Sequence, residues 1–449
     1  MNSGCSPEIN VPNTRLLARL VWPADCHRHD RHMSPQKTFS VTVSLLALGI
    51  LVLGSLRAWA DEPLARDLSL RDAITTALNK RPELVASGLG QQASSQWRRQ
   101  AAYIPNPRVF YQSENLRPGG DFSQNVDTYA YVSEVLEVSG KRAARISVAD
   151  SAVARSQLSF EQQKRLVELH VAQAYWDVVR LQYQRALAEQ NVTYYREILD
   201  YQQKRLNEGK LAEVDVMRLR LEEARSEASL ELSRLSEAEG QQRLAREMGL
   251  PKPESWHLSE SFEVLNEPRL PNDVNHPEQA RIEIRSAQQA IDAARANLLS
   301  QKAQGRPDID TLFGYKRTAG LNTMIAGLQV NLPLFDRNQG AVAAARIDVE
   351  ASRANLAAAQ LQSESELELA RMVYEMWKRQ ITERYRPLLT QAIDIATIGR
   401  SAYREGGIDF LRLLDAEKLR VDTQSSWVDA LGNYHQSVLA LQYAEGLEP

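Results

Sequence analysis

The residues with the most obvious chemical potential lie close to the N-terminus. His27, His29, Asp30 and His32, with Cys26 beside them, supply imidazole, carboxylate and thiol donors of the kind that hold a transition metal. They precede Met33, which stands where a signal peptide should begin, so residues 1–32 read as an over-long gene start and the cluster is assigned no function. From Phe39 to Leu56 the chain is apolar (FSVTVSLLALGILVLGSL), preceded by Lys37 and followed by Ala58-Trp59-Ala60, the small residues a signal peptidase reads. Residues 33–60 are therefore expected to be a signal peptide, with Asp61 opening the mature chain; an uncleaved anchor helix is the alternative. Cleavage removes both cysteines, Cys5 and Cys26, and leaves a mature charge of −6.

No other constellation asks for a cofactor or a reaction. Ser139-Gly140-Lys141-Arg142 lacks the upstream glycine of a phosphate loop, since Val135 stands in its place. There is no HExxH, and His170, His257, His276 and His435 are scattered. The pair Glu222-Glu223 lies on a charge-rich helical stretch, where solvation accounts for it. Without a nucleophile–base pair or a metal set, an enzyme has no positive support, and no catalytic, cofactor or metal residue is assigned. A net charge of −3 without a basic stripe gives no reason to expect nucleic acid.

The elements around these residues carry more information. Gly209 falls 197 positions before Gly406, and the same offset carries Glu208 onto Glu405, Leu211 onto Ile408 and Gly249-Leu250 onto Gly446-Leu447. Upstream the offset is 200, pairing Arg81 with Arg281, Glu83 with Glu283 and Pro107 with Pro307. A period this long marks a duplicated domain, not a solenoid. Residues 61–250 form the first repeat and 278–449 the second, with the proline-rich stretch 251–277 as a linker between them.

Each repeat begins helically and then changes to a period of two. Val109 to Asn115 and Thr128 to Val135 flank Arg117-Pro118-Gly119-Gly120-Asp121, which predicts a β-hairpin at about 107–138. Ile309 to Tyr315 and Met324 to Leu332 flank Thr318-Ala319-Gly320 and predict a second at about 308–335. In its last strand Met324, Ala326, Leu328, Val330 and Leu332 share one face, with Thr323, Gln329 and Asn331 on the other. Such alternation suits a membrane barrel with a wet lumen.

After each hairpin comes a helix of about 70 residues, from Gly140 to Glu208 and from Asn338 to Glu405, or about 100 Å at 1.5 Å per residue. Apolar residues recur near the coiled-coil spacing at Val171, Ala174, Val178 and Leu181, and again at Ala188, Val192, Tyr195 and Leu199. Pro387 predicts a kink. Four strands cannot close a barrel, because open edges leave backbone unpaired in lipid. Three chains supply twelve, and their helical columns a tube beneath.

This organisation resembles the TolC-type outer-membrane efflux family over essentially the whole mature chain. The segment Val135-Leu136-Glu137-Val138-Ser139-Gly140-Lys141-Arg142 is similar to the corresponding part of the CzcC-like branch, which serves heavy-metal cation efflux. The resemblance implies a fold that is mainly α with a small β part. Three chains would build a 12-stranded outer-membrane β-barrel, four strands each, continued by a long periplasmic α-helical barrel. It also implies a homotrimer in outer-membrane lipid, a periplasmic adaptor, and an inner-membrane pump of the RND type that drives a passive duct. Gly209 and Gly406 match the hairpin tips where the adaptor docks. Tyr403 and Asp415 match positions that help close the periplasmic end. A basic gate position is here Ile408 and an acidic one Arg412; Arg412 and Asp415, three apart, could pair locally on a helix, with a solvated helix face as the alternative reading of both. Rival readings are a duct for organic toxins or secreted polypeptides, and a periplasmic coiled-coil scaffold that would leave the two strand pairs unexplained.

Overall fold

The computed structural model describes residues 66–119, 126–254, 256–265, 267 and 281–447. The expected gene start and signal peptide, the histidine cluster, His276, Gly120 and Asp121 of the first turn, and residues 255, 266 and 268–277 of the linker lie outside the described residues.

The chain order is β1 (Arg66–Leu68), α1 (Leu70–Lys80), α2 (Pro82–Ala101), β2 (Arg108–Glu114), β3 (Asp127–Leu136), α3 (Lys141–Asn207), α4 (Glu213–Glu247), β4 (Trp256–Leu258), α5 (Ile282–Gln304), β5 (Ile309–Thr318), β6 (Leu321–Val330), α6 (Gln339–Arg379), a π-helical turn (Gln380–Tyr385), α7 (Arg386–Arg404) and α8 (Phe410–Ala444). Helix α3 alone is 67 residues, about 100 Å of rise. Two shorter helices, α2 and α4, run along it, and α5 and α8 run along α6.

The long helices hold together through the seam read from the sequence. Val171, Val178, Leu181, Ala188, Val192 and Tyr195 of α3 are all buried. The largest core joins α1, α3, α4, α6 and α8 around Tyr175, Phe262, Leu244, Met248 and Tyr434. Leu244 is fully enclosed, and a side chain of that size contributes about 2 kcal/mol by burial. His435 is sealed into this belt: its ring stacks on Trp176 at 3.8 Å, and its Nε2 donates to the Phe262 carbonyl at 2.9 Å.

Two features depart from the sequence reading. The stretch taken as a linker contributes β4, which pairs in parallel with β1 through Arg66–Trp256, Asp67–His257 and Leu68–Leu258. Glu260 then accepts from the Leu70 backbone N–H at 2.9 Å, satisfying a donor at the start of α1. The irregularity assigned to Pro387 lies one turn earlier, as the π-helical turn Gln380–Tyr385. A proline ring collides with the carbonyl four residues back and offers no N–H, and a widened turn accommodates both demands inside a continuous column.

The four main strands form one antiparallel sheet in the order β2-β3-β5-β6, leaving β2 and β6 as open edges. Its register assigns the faces. Val109 lies opposite Val132, Val132 opposite Phe313 and Phe313 opposite Ala326, while Tyr111, Ala130, Tyr315 and Met324 form the next row. These two rows make the middle of one face apolar, and the side chains of Val109, Met324 and Leu328 stand largely exposed on that face. The other carries Arg108, Gln112, Asp310, Lys316, Thr323 and Gln329, with Arg108 paired to Asp310 across the sheet. Gly314 lets β3 and β5 meet: a Cβ there would run into the Ala130 carbonyl oxygen and the Tyr131 backbone.

Candidate gate at the hairpin tips

Both helical hairpins reverse by the same device. Gly209 has φ 69° and Gly406 φ 77°, and each follows a helix whose last carbonyls are capped from beyond it. Lys210 N–H donates to Arg205 O at 2.9 Å and Gly407 N–H to Ala402 O at 2.7 Å, the long bond of a Schellman motif. Only glycine adopts this backbone without a Cβ penalty.

Just inside the tips the two hairpins are tied together. Tyr403, at the end of α7, accepts through its hydroxyl from Gln202 Nε2 and from Arg205, both at 2.7 Å and both on α3. The Arg205 guanidinium also sits 5.6 Å from the centre of the Tyr403 ring. Below this tie Tyr195, Leu219, Phe410 and Leu413 make a small apolar core shared by α3, α4 and α8.

The other two expected gate residues are arranged differently. Asp409 caps α8, its carboxylate accepting from the Arg412 backbone N–H at 2.8 Å. That geometry brings the Arg412 side chain to 4.0 Å from Asp409, so Arg412 pairs with the cap residue and not with Asp415. Both partners are exposed, and such a pair contributes little. Asp415 is itself exposed on α8.

A second layer, deeper along the hairpins, was not singled out from the sequence. Glu417 on α8 is fully enclosed and bound by two guanidiniums: Arg400 of α7 at 2.5 and 2.9 Å, and Arg420 of α8 at 2.9 Å. Both cations also contact the Tyr194 ring of α3, at 4.7 and 5.8 Å, and Arg420 donates to Asn191 of α3 at 3.2 Å. Burial alone would raise the Glu417 carboxyl, but hydrogen bonds from Arg400 and Arg420 outweigh it and hold the group below the ordinary carboxylate range. The carboxylate stays charged, and its bond raises Arg400 in turn. A sequence signal for it exists. Phe410, Leu413, Glu417, Arg420, Gln424, Trp427 and Leu431 follow alternating spacings of three and four, so three polar residues occupy an apolar seam.

Among the described residues no group of three or more His, Cys, Asp or Glu could hold a metal ion. His257 lies 3.3 Å from Asp67 at the surface, Glu222 binds Arg225, and Glu223 faces Arg196. Among the described residues no helix is long and apolar enough to cross a membrane.

A sheet with one apolar face and two open edges, set on helical columns far deeper than a globular core, defines a subunit of a membrane channel. The chain belongs to the outer membrane efflux protein family, whose model matches residues 73–250 and 276–447. It is similar to the cobalt-zinc-cadmium resistance protein CzcC of Cupriavidus metallidurans, 23% identical over 386 residues that cover 84% of this chain and 90% of that one. Among solved structures it resembles CusC, with a TM-score of 0.73 at 19% identity over 85% of this chain and 92% of the other. It also resembles the open state of the MtrE channel of Neisseria gonorrhoeae, with a TM-score of 0.72 at 17% identity over 84% and 89% of the two chains. The fold is that of the TolC-type channels, and the protein is an outer-membrane efflux channel with a periplasmic helical part.

Proposed function

We propose that three copies of this chain form a passive exit duct for heavy-metal cations, driven by an inner-membrane pump of the RND type through a periplasmic adaptor. The observation that carries the assembly is the sheet with both edges open, which has to find partners before its apolar face can enter lipid. Exposed apolar residues on two separate helical columns support it: Val214, Met217 and Leu221 on α4, and Leu361, Leu369, Met372, Leu388, Ile395 and Ile398 along α6 and α7. Two different surfaces that fit one another head to tail generate a ring, and twelve strands are a number that closes. The cation preference rests on the similarity to CzcC over most of both chains.

In this reading the glycine tips Gly209 and Gly406 dock the adaptor. Tyr403, tied to α3, holds the periplasmic end shut, with Arg412 and Asp415 at its exposed rim. The wet face of the sheet lines the exit. A strain lacking the gene should lose tolerance of cobalt, zinc or cadmium salts while its tolerance of organic toxins stays unchanged. The opposite pattern would move the substrate to organic compounds, and detergent-free release of the protein from outer membranes by high salt would remove the channel.

A further inference from the structure

Among the described residues the most exposed large apolar side chain is Phe335, at 93%, five positions beyond the end of β6. Its loop is held in place. Leu334 N–H donates to Leu332 O at 2.9 Å, Arg337 Nε to Pro333 O at 3.2 Å and Gln339 Nε2 to Phe335 O at 3.2 Å. At the opposite edge of the sheet, just before β2, Trp97, Tyr103, Ile104 and Pro105 line an open hollow of about 660 Å³. Trp97 and Tyr103 are 72% and 64% exposed. The backbone beneath them is fixed from α3: Arg145 donates to the Ala101 and Tyr103 carbonyls at 2.9 and 3.0 Å, and Arg142 to the Ala102 carbonyl at 2.9 Å. These bonds use carbonyls that the end of α2 leaves open. Neither a rigidly held phenyl ring nor an aromatic hollow gains anything by standing in water.

The duplication supplies a template for how such loops meet. Inside the chain β3 lies beside β5, and Ser139, three residues beyond β3, donates its hydroxyl to the carbonyl of Pro307, two residues before β5. Lys141 pairs with Asp308 next to it at 2.6 Å. An offset of 196 carries Leu136-Glu137-Val138-Ser139 onto Leu332-Pro333-Leu334-Phe335, and the offset of 200 carries Pro307 back onto Pro107. The open edges β6 and β2 therefore present the same two loops, and antiparallel closure between copies brings those strand ends together. Outward residues must oppose outward residues, so Val109 meets Leu328, Val330 or Leu332, and Phe335 then comes level with Ala102, Ile104 or Asn106. The chemistry of the contact changes with its residues. Phe335 stands where the template has Ser139, and Arg108, already bound to Asp310, stands where it has Asp308, so an apolar contact replaces the polar one. We propose that Phe335 of one subunit fills the hollow of Trp97, Tyr103 and Ile104 on a second copy of this chain, keying neighbours together where the strand ladder ends and the helical columns begin. The inference rests on the three-copy assembly proposed above and names a contact that holds it.

The test uses the full chain in outer membranes, with Cys5 and Cys26 replaced by serine so that introduced thiols are the only ones. Ile104→Cys combined with Phe335→Cys should oxidise, under copper phenanthroline, to covalent dimers and trimers on non-reducing gels. Either cysteine alone should give monomer, as should Phe335→Cys combined with Val138→Cys, which lies two residues beyond β3 and away from the seam. Trp97→Ala and Phe335→Ala should each lower the temperature at which native channels dissociate on gels, and the two together should lower it no further than the more damaging one alone. Phe335→Met, which keeps an apolar knob, should recover most of that loss. Losses that simply add in the double variant would refute the contact between the two rings. Trimers that form yet fail to cross-link would refute the joint and leave the assembly standing; a nitroxide on Phe335→Cys relaxed by oxygen and not by a nickel chelate would then assign the ring to lipid. A wild-type channel that amine-reactive cross-linkers never carry beyond monomer would refute the three-copy reading itself, and the joint with it.

Discussion

Replacing Glu417 by leucine should leave two guanidiniums facing one another across Tyr194 with no counter-charge. In the native arrangement the Glu417 side chain is fully enclosed, Arg420 is 11% exposed and Arg400 is 36% exposed. Breaking a buried ion pair by removing one partner costs about 3–5 kcal/mol. Arg400 can swing partly into water, which puts the expected cost at the lower end, about 3 kcal/mol. Since about 1.4 kcal/mol is a factor of ten, the population of channels with α7 parted from α8 at this level can rise by up to about a hundredfold. That ceiling is reached only if the cluster exists in the shut state alone. Single-channel recording of purified Glu417→Leu should therefore show a large increase in open probability. Tyr194→Phe, which keeps the ring, should behave like wild type, whereas Tyr194→Leu should resemble Glu417→Leu. A Glu417→Leu channel that melts at lower temperature but conducts like wild type would refute the latch and leave the cluster as a structural brace.

Three further outcomes follow from named contacts. Gly406→Pro would force φ near −65° where the backbone stands at 77° and delete the N–H that reaches Tyr403 O; metal tolerance should fall while the amount of channel in the outer membrane holds, as measured by blotting of membrane fractions. Gly314→Val should prevent stable insertion altogether, because its side chain would occupy the backbone of the neighbouring strand; loss of the heat-modifiable species on gels is the readout. Burial holds the His435 imidazole below its ordinary value of 6.5, against the opposing bond to Phe262. The unfolded chain therefore takes up this proton first, and the stability of the central belt is fully present above pH 6.5 and declines as pH falls below it. His435→Phe should flatten that part of the melting-temperature profile of the purified channel.

Much of the architecture was legible because it repeats and because it is long. An apolar seam maintained over 67 residues has one interpretation, and alternation in four short runs has few. What escaped depended on contacts without a local signature. β4 is three residues long and sits among prolines, and only its pairing with β1, some 190 positions earlier, makes it a strand. Arg400 and Glu417 are 17 positions apart across a hairpin turn, on helices where most charged residues are solvated. The π-helical turn beside Pro387 is a response to a clash that sequence marks but cannot resolve into a kink or a bulge. Arg412 could reach a carboxylate on either side, and the cap formed by Asp409 decided between them.

The two tips share their backbone geometry and differ in what they display. One carries a Glu208–Lys210 ion pair around its glycine; the other runs Glu405-Gly406-Gly407 and has no side chain after the reversal until Ile408. A ring of three such chains would offer a partner six sockets of two alternating kinds. A periplasmic protein that met all six would have to bind in non-equivalent pairs, two to each channel subunit.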